Sequence, residues 1–276
     1  MPEPISQTEY WNGDVGARWV GMQTELDRVF APLTAALLDG AALRPGERVL
    51  DIGCGCGETA LLAAERLGPE GAVTGVDVSR PMLERARERP TKGAPITWVE
   101  ADAQVHAFAP GHDLALSRFG VMFFDESRAA FANIRRGLRP GGRLAILCWR
   151  ALPENDWVSV PRDAVLTVVP PPAPPVPGSP GPFRFADRDG LAALLAQTGF
   201  SKIAVTPVDR LLEIGRDAEA ATRFAVTVGP IAGLLRELDD ADLRDRAVAA
   251  VRAAMPSRNP VRLGSACWLA TAINPG

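Results

Sequence analysis

The stretch RVLDIGCGCGETALLAAERLG, residues 48–68, constrains the fold more than any other part of the chain. An apolar run over 48–52 leads into a turn with three glycines, and a helical pattern follows over 58–67. Continuous apolar strands are typical of parallel sheets that helices cover on both faces. Glycines in a strand–loop–helix turn let the backbone approach a ligand, and the helix N terminus presents unpaired N–H groups. The pattern predicts an α/β protein with a nucleotide-type cofactor loop.

The same alternation continues on both sides of this loop. Ser79 is expected to cap a helix with Pro81 in its first turn, where a missing N–H costs nothing. Strands that alternate with helices predict βαβ units. The expected strands after the first are 72–78, 96–101, 113–117, 143–149, 201–208 and 262–273. The expected helices include much of 1–40, then 58–67, 79–89, 126–138, 188–198, 216–229 and 240–254.

The glycine spacing narrows the choice of cofactor. A G-x-G-x-x-G dinucleotide fingerprint begun at Gly53 needs glycine at position 58, where the chain has Glu58. Begun at Gly55, it ends on the tolerated Ala60 but starts too late after the strand. No Gly-Lys-Ser/Thr follows, so the loop is not a P-loop. An NAD(P)-dependent oxidoreductase stays open as an alternative.

Two acids at strand ends strengthen the cofactor hypothesis. Asp77 ends the second expected strand, where a carboxylate accepts hydrogen bonds from ribose hydroxyls. Asp102 follows the third expected strand, where an acceptor suits the amino group of adenine. Because the carboxyl ends of parallel strands meet at one edge, both are expected beside the glycine loop.

Four segments, VLDIGCGCGETALLAA, VTGVDVSRPMLERAR, VEADAQ and GLRPGGRLAILCW, resemble the successive motifs of class I S-adenosylmethionine-dependent methyltransferases. The similarity is closest to the type 11 group, which includes ubiquinone/menaquinone C-methyltransferase-like enzymes, and covers about 47–150. The flanks EYWNGDVGARWV, SRFGVMFF and GPFRFADRDGLAALLAQTGF are similar to those of small-molecule members. The resemblance implies a Rossmann-like seven-stranded, mostly parallel sheet with its last strand antiparallel, helices on both faces and a helical, Pro-rich cap over the site.

The resemblance also implies roles for individual residues toward S-adenosyl-L-methionine, whose product is S-adenosyl-L-homocysteine. The glycine loop would run beside the methionine and ribose portions, and Asp51 would organise this loop. Asp77 would bind the ribose hydroxyls, and Met82 would pack near the adenine. Trp11 and Arg18 would close over the methionine end, with Arg18 pairing its carboxylate. The full expected cofactor set is Trp11, Arg18, Asp51, Gly53, Cys54, Gly55, Asp77, Val78, Met82, Asp102, Ala103, Ser117, Arg118 and Phe119.

Methyl transfer from a sulfonium is an in-line displacement, and a general base is needed only for a weakly nucleophilic acceptor. Tyr10, His106 and His112 are the candidates, and none of them stands out. Aromatic and apolar residues outside the core predict a covered, largely apolar pocket for a small or medium organic acceptor. The expected pocket residues are Trp19, Met22, Trp149, Trp157, Phe183 and Phe224.

The chain has 276 residues and a net charge of −3, with no basic run, so nucleic acid is not expected as a partner. We expect no metal, because two cysteines in CxC do not complete a tetrahedral zinc site; Cys54 and Cys56 would serve as small loop residues. No secretory signal or membrane span is visible, so a cytoplasmic protein is expected, with a homodimer left open. A regulatory S-adenosylmethionine-binding protein and a nucleic-acid methyltransferase stay as less favoured alternatives.

We expect one methyltransferase domain over 1–276. Its parts are a helical cap over 1–40, a cofactor-binding core over 41–150, a Pro-rich lid over 151–186 and a C-terminal region with a helical insertion over 187–276. The stretch VVPPPAPPVPGSPGP within the lid cannot form a helix or a central strand, because proline lacks the N–H donor.

Overall fold

The structure is a computed structural model that describes residues 6–174, 176 and 178–276. The chain divides into two compact units. The first comprises Met1–Trp149, described from Ser6, together with Ser179–Val208 and Cys267–Gly276; the second comprises Arg150–Gly178 and Asp209–Ala266. That both units form the single domain expected from the sequence stays a prediction.

Seven strands of the described chain form one sheet in the order β3-β2-β1-β4-β5-β7-β6. The strands are β1 (Arg48–Ile52), β2 (Ala72–Asp77), β3 (Ile96–Glu100), β4 (His112–Arg118), β5 (Leu138–Trp149), β6 (Ser201–Gly215) and β7 (Val261–Ile273). Pairing is parallel from β3 through β5, and β7 runs antiparallel to β5. The Rossmann-like sheet expected from the sequence is therefore confirmed. Its strand order reverses between β1 and β4, and such switch points hold the ligand sites of open α/β sheets.

The helices of the described chain alternate with these strands. They are α1 (Gln7–Asn12), α2 (Asp14–Gly21), α3 (Gln23–Gly40), α4 (Glu58–Leu67), α5 (Arg80–Glu88), α6 (Ser127–Gly137), α7 (Asp156–Leu166), α8 (Arg188–Gln197), α9 (Ala218–Thr227), α10 (Pro230–Arg236) and α11 (Ala241–Ala254). Two short 3₁₀ helices cover Gly120–Phe123 and Leu152–Glu154. Among the described helices, none combines the length and the apolar character needed to cross a membrane.

The hydrophobic core of the first unit explains why its strands and helices could be predicted from the sequence. Strand β1 buries its last four residues, and β4 and β5 bury nearly every apolar side chain they carry. Helix α4 contributes the small buried side chains Ala60, Ala63 and Ala64. Buried strands with apolar residues on both faces, next to helices with a small-residue face, give the patterns that sequence analysis detects.

Helix α7 and strand β6 both depart from the sequence analysis. Helix α7 begins inside the segment expected to be a lid and contains Pro161, which removes one helical hydrogen bond. Its buried side chains Trp157, Val158 and Val165 stabilise it in spite of that loss. Strand β6 extends to Gly215 rather than ending near 208, because an edge strand tolerates exposed polar residues such as Asp209 and Arg210.

The proline-rich stretch behaves as its composition suggests. Its described residues, 168–174, 176 and 178–182, form neither helix nor strand, and Pro175 and Pro177 lie outside the described residues. The segment 170–174 is exposed, as expected for backbone that cannot donate hydrogen bonds to a sheet.

Candidate cofactor site

A cavity of about 320 Å³ lies at the switch point between β1 and β4, within the first unit. Its wall combines segments that follow β1, β2, β3 and β4 with side chains from α1, α2 and α3. Among the residues of the wall are Trp11, Trp19, Gln23, Asp27, Phe30, Gly53, Cys54, Gly55, Cys56, Glu58, Asp77, Val78, Met82, Asp102, Ala103, Gln104, Arg118, Phe119 and Phe123. A cavity of this size falls within the range of small-molecule sites.

The loop after β1 needs glycine for a steric reason. Gly53 has a φ of +66°, and a Cβ on it would lie 2.6 Å from the Cα of Gly120. The loop therefore packs directly against the backbone that follows β4. This close approach brings the ends of two neighbouring strands to one side of the cavity.

Asp77 joins this loop to the start of α5. One of its carboxylate oxygens accepts a hydrogen bond from the Gly55 amide at 2.8 Å, and the other accepts from the Ser79 amide at 2.8 Å. Burial raises the pKa of this carboxyl group, while the hydrogen bonds from Ser79, Gly55 and Val78 act in the opposite direction. The two backbone bonds hold the carboxylate at the cavity wall.

Asp102 is held by its neighbour Gln104. The Gln104 backbone amide donates to Asp102 at 2.8 Å, and the Gln104 side-chain amide donates to both carboxylate oxygens. The carbonyl oxygen of the same side chain accepts from the Glu126 backbone amide at 2.7 Å. Gln104, which sequence analysis missed, thus connects the segment after β3 to the segment after the 3₁₀ helix.

Asp51 lies beneath the cavity rather than on its wall. Its carboxylate is fully buried and accepts a hydrogen bond from the Thr59 hydroxyl in the first turn of α4. Burial raises the pKa of Asp51 to about 7, against the opposing effects of Thr59 and Arg118. Sequence analysis expected Asp51 to organise the loop, and the Thr59 hydrogen bond ties its carboxylate to the first turn of the helix that follows the loop.

Helices α1 and α2 are anchored to the segment after β2. The Asn12 side chain donates to the Val78 carbonyl at 2.8 Å and accepts from the Arg80 amide at 3.0 Å. Ser79 takes the expected N-cap position of α5, but its hydroxyl donates to the Trp11 carbonyl at 2.7 Å.

Aromatic contacts complete this wall of the cavity. The Trp11 ring lies 5.0 Å from the Phe123 ring and 5.8 Å from the Trp19 ring, both edge-to-face. Such pairs stabilise beyond the area they bury. The N-terminal segment therefore forms a wall built by specific contacts.

A charged network lines the wall near β4. The Arg118 guanidinium donates to the Glu58 carboxylate and to the Thr34 hydroxyl, and lies 5.9 Å from the Phe30 ring centroid. Asp27, on α3, forms an ion pair with Arg89 at 2.8 Å. These groups come from α3, α4, β4 and the segment after α5, so the network depends on the complete fold of this region.

Sequence analysis missed Asp27 and Glu58 as wall residues. Glu58 entered only as the position where a dinucleotide fingerprint lacks glycine. A signal for Asp27 was present, because Gln23, Asp27, Phe30 and Thr34 follow helical spacing and share one face of α3. That face of α3 carries polar side chains among buried apolar ones, and buried polar side chains indicate a binding site more than they indicate a hydrophobic core.

The structure brings most of the expected cofactor residues together. On the cavity wall are Trp11, Gly53, Cys54, Gly55, Asp77, Val78, Met82, Asp102, Ala103, Arg118 and Phe119. In the described structure, half-buried Arg18 and fully buried Asp51 and Ser117 are not part of this wall.

The residues expected to line the acceptor pocket do not all lie on one cavity wall. Trp19 lies on the wall, whereas the wall as described does not include Met22, Phe183 or Trp149. Trp149 instead stacks on Phe119 with ring centroids 4.1 Å apart and so supports a wall residue from behind. Trp157 and Phe224 are buried in α7 and α9 of the second unit.

The three candidate bases also lie elsewhere within the described residues. The His112 ring is buried and bonded to the Gly137 carbonyl at 3.1 Å, and burial lowers its pKa. The His106 ring contacts Phe108, and the Tyr10 ring contacts Trp11 at 5.3 Å, without either residue reaching the described wall.

Both loop cysteines contribute to the wall as thiols. Cys54 is buried and Cys56 is half-buried, and neither of them forms a disulfide. Burial raises the pKa of both thiols, that of Cys56 to about 12, so the nucleophilic thiolate form is disfavoured. No group of three or more metal-ligating side chains occurs among the described residues.

This combination of a switch-point cavity, a glycine loop and two strand-end acids is that of an α/β protein with a nucleotide-type cofactor site. A family model described as a methyltransferase domain matches residues 49–142. Demethylmenaquinone methyltransferase from Thermus thermophilus is 31% identical over 174 residues, which cover 59% of this chain and 79% of that protein. The chain belongs to the class I S-adenosylmethionine-dependent methyltransferases, as the sequence motifs predict.

Two further comparisons add detail. Arsenite methyltransferase from Halobacterium salinarum is 32% identical over 192 residues, 65% of this chain and 44% of that protein. The chain spans about half the length of the first curated relatives that it matches. Phosphoethanolamine N-methyltransferase 2 from Haemonchus contortus, solved in complex with S-adenosyl-L-methionine, has a TM-score of 0.58 at 18% identity, covering 99% of this chain and 61% of that chain. This similarity shows a shared fold.

Proposed function

We propose that the protein transfers a methyl group from S-adenosyl-L-methionine to a small, largely apolar organic acceptor. The observation that carries the proposal is the convergence of Gly53, Asp77 and Asp102 on one cavity at the switch point of the sheet. The cofactor supplies a sulfonium-bound methyl group, and the task of the chain is to bind, orient and exclude water.

The side chains and backbone that line the cavity fit such a cofactor. Asp77, with Val78 beside it, would accept hydrogen bonds from the ribose hydroxyls. Asp102, with Ala103, would accept a hydrogen bond from the amino group at the adenine edge, because a carboxylate is a hydrogen-bond acceptor. Met82 would pack against the adenine. A side chain at position 53 would collide with Gly120, so the bare backbone there leaves room for the methionine and ribose portions.

Arg118 suits the methionine carboxylate better than Arg18 does. Its guanidinium lies on the cavity wall and donates to Glu58 and Thr34, while the described wall does not include Arg18. A guanidinium can hold two carboxylates through its several N–H donors. Arg118 therefore takes over in our proposal the role that the sequence resemblance gives to Arg18.

The acceptor is expected to be apolar because of the aromatic side chains on the wall. Trp11, Trp19, Phe30, Phe119 and Phe123 all line the cavity. Aromatic walls with a few polar groups are typical of sites for small organic molecules. Curated relatives are named for aklanonic acid and demethylmenaquinone, which supports a small-molecule acceptor without selecting one.

The test is thermal unfolding with S-adenosyl-L-methionine, S-adenosyl-L-homocysteine and NADH in parallel. Ligand at about 100 times its dissociation constant adds roughly 2.7 kcal/mol to the free energy of unfolding, which raises the midpoint by about 5 °C for a chain of this length. We expect a shift with the two sulfur ligands only. A radiolabelled methyl-transfer screen over small acceptors then tests turnover. A shift with NADH alone would favour an oxidoreductase and contradict the proposal.

A further inference from the structure

The side chain of Gln104 bridges two segments that border the candidate cofactor cavity. Gln104 lies on the cavity wall with Asp102, and both residues are half-buried. Its side-chain nitrogen donates to the two Asp102 carboxylate oxygens at 3.2 and 3.0 Å. Its side-chain oxygen accepts from the backbone amide of Glu126, the N-cap residue of α6, at 2.7 Å. The inference drawn from this bridge rests on the proposed function, because it concerns how Asp102 would meet the adenine amino group.

Hydrogen-bond chemistry fixes which end of the Gln104 amide faces which partner. The Glu126 backbone N–H can only donate, so it requires the Oε1 atom of Gln104. The ionised Asp102 carboxylate can only accept, so it requires the Nε2 atom. Turning the amide by about 180° would place donor against donor at one end and acceptor against acceptor at the other. Gln104 is therefore held in one orientation, and in that orientation it holds Asp102.

The bonds from Gln104 orient the Asp102 carboxylate before any ligand binds. Oδ1 of Asp102 accepts from the backbone amide of Gln104 at 2.8 Å and from its side chain, and Oδ2 accepts from the side chain. A carboxylate has about four lone-pair sites, so capacity remains for a donor in the cavity. A single bond from the backbone amide would leave the carboxylate free to turn, because the torsion at its Cβ–Cγ bond has broad minima.

The loop that carries Asp102 is held by other residues as well. The Asn133 side chain of α6 donates to the carbonyl of Ala103 at 2.9 Å and to that of His106 at 2.8 Å. The His106 backbone amide donates to the Asp102 carbonyl at 2.9 Å. These bonds do not involve the Gln104 side chain, so we expect the loop to keep its backbone conformation when that side chain is replaced.

We propose that Gln104 is a positioning residue for base recognition: it orients Asp102 as a hydrogen-bond acceptor and thereby gives the site its preference for a purine with a 6-amino group. An acceptor that is already oriented binds its donor more tightly, because less conformational entropy is lost on binding. Gln104 itself needs no contact with the base for this role. The bridge to Glu126 contributes by fixing the Gln104 amide.

The experiment compares two ligands by titration calorimetry at neutral pH. One is S-adenosyl-L-homocysteine, and the other is its 6-deamino analogue, in which hydrogen replaces the amino group of the purine. Both ligands have the same ribose, thioether and amino-acid portions, so the ratio of their affinities reports on the amino group. We expect the wild type to bind S-adenosyl-L-homocysteine roughly 10- to 100-fold more tightly, the range expected for a hydrogen bond to a charged group.

Two variants change the Gln104 side chain in different ways. Gln104→Met keeps its length and removes both amide bonds, whereas Gln104→Glu keeps an acceptor for the Glu126 amide and removes only the donor to Asp102. Each variant is expected to lower the affinity ratio by roughly fivefold or more, with binding of the analogue within about twofold of wild type. Using both keeps the test informative if one variant folds poorly. Gln197→Met, at an exposed position of α8, is the matched control and is expected to behave like the wild type.

A double-mutant cycle tests whether Gln104 acts through Asp102. In the background of Asp102→Ala, we expect Gln104→Met to change the affinity for S-adenosyl-L-homocysteine by less than about twofold, because the group that it positions is gone. An effect as large as that in the wild-type background would show that Gln104 acts by another route and would overturn the inference.

The remaining outcomes separate this inference from the proposed function. Equal affinity of the wild type for the two ligands would overturn the inference and leave cofactor binding in place. Equal weakening of both ligands in the Gln104 variants, with normal folding by circular dichroism, would also overturn it, because the residue would then only support the cavity. A wild-type affinity ratio in Gln104→Glu would overturn it too. Failure of the wild type to bind S-adenosyl-L-homocysteine would remove the proposed function and this inference with it.

Discussion

At the scale of single residues, Asp77 shows how one carboxylate can serve both structure and binding. Its two oxygens accept from the Gly55 and Ser79 amides, so the backbone fixes the side chain before any ligand arrives. A carboxylate oxygen can accept more than one hydrogen bond, which leaves capacity for ribose hydroxyls on the cavity side.

We expect Asp77→Asn to weaken S-adenosyl-L-homocysteine binding by roughly 10- to 100-fold. The amide keeps the size of the side chain but replaces one acceptor oxygen by a donor that faces backbone N–H groups, and hydrogen bonds to charged groups contribute about 1.5–3 kcal/mol. Calorimetric titration measures the loss. Asp39→Asn, at an exposed position of α3, is the control. An unchanged dissociation constant for Asp77→Asn would contradict the ribose role.

The raised pKa of Asp51 predicts that the free energy of unfolding depends on pH. Its pKa is raised from 3.8 to about 7, so the folded protein holds the proton more tightly than the unfolded chain does. The stabilisation is complete below about pH 4 and is lost as the pH rises toward 7, by up to about 1.4 kcal/mol per unit.

We therefore expect Asp51→Asn, which cannot ionise, to flatten the dependence of unfolding free energy on pH. Urea denaturation at several pH values between 4 and 8 measures the slope. Raised pKa values of Asp77 and Glu58 will leave part of the slope in place, because they act in the same direction. Identical slopes for the variant and the wild type would show that Asp51 does not titrate in this range.

At the scale of elements, the N-terminal helices depend on a few polar contacts. Asn12 bonds to the Val78 carbonyl and the Arg80 amide, and Trp11 accepts from Ser79. These bonds attach α1 and α2 to the segment that carries the candidate ribose site. Opening of the helices would therefore expose the wall at Trp11.

We expect Asn12→Ala to increase hydrogen exchange of backbone amides in 7–21 by roughly 5- to 30-fold. Two lost hydrogen bonds together contribute about 1–2 kcal/mol to local stability. Mass-spectrometric exchange measures the effect, with the exposed Thr24→Ala on α3 as the control. Wild-type exchange rates in the variant would mean that aromatic contacts alone hold these helices.

The elements also show what a sequence can predict. Strand β1 and helix α4 match the expected 48–52 and 58–67 to the residue, because an apolar run and a glycine turn leave few alternatives. Helix α7 was missed because Pro161 argues against a helix locally while burial of Trp157 and Val165 decides otherwise. Local patterns do not contain such tertiary packing.

The same limit applies to the site. The strand-end residues Asp77 and Asp102 could be placed from strand periodicity alone, because parallel strands end at one edge. Asp27 and Glu58 belong to elements whose mutual approach depends on how α3 packs, and no spacing rule connects residues 31 positions apart.

At the scale of the whole molecule, β6 and β7 each contain residues of both compact units. Unfolding of one unit alone would shorten both strands and remove part of their pairing, so we expect the units to unfold together. Differential scanning calorimetry should show one transition whose calorimetric and van't Hoff enthalpies agree. Two resolved transitions would contradict the single domain that the sequence predicts.

Every described side chain on the cavity wall comes from residues 6–125, although the sheet is completed only by β5, β6 and β7. The wall residues and the strands β1 to β4 thus lie in the first half of the chain, and the remaining three strands follow them. During synthesis, all the wall residues leave the ribosome before the strands that complete the sheet. Over evolutionary time, the region after residue 125 can accumulate substitutions or insertions without replacing any described residue of the cavity wall.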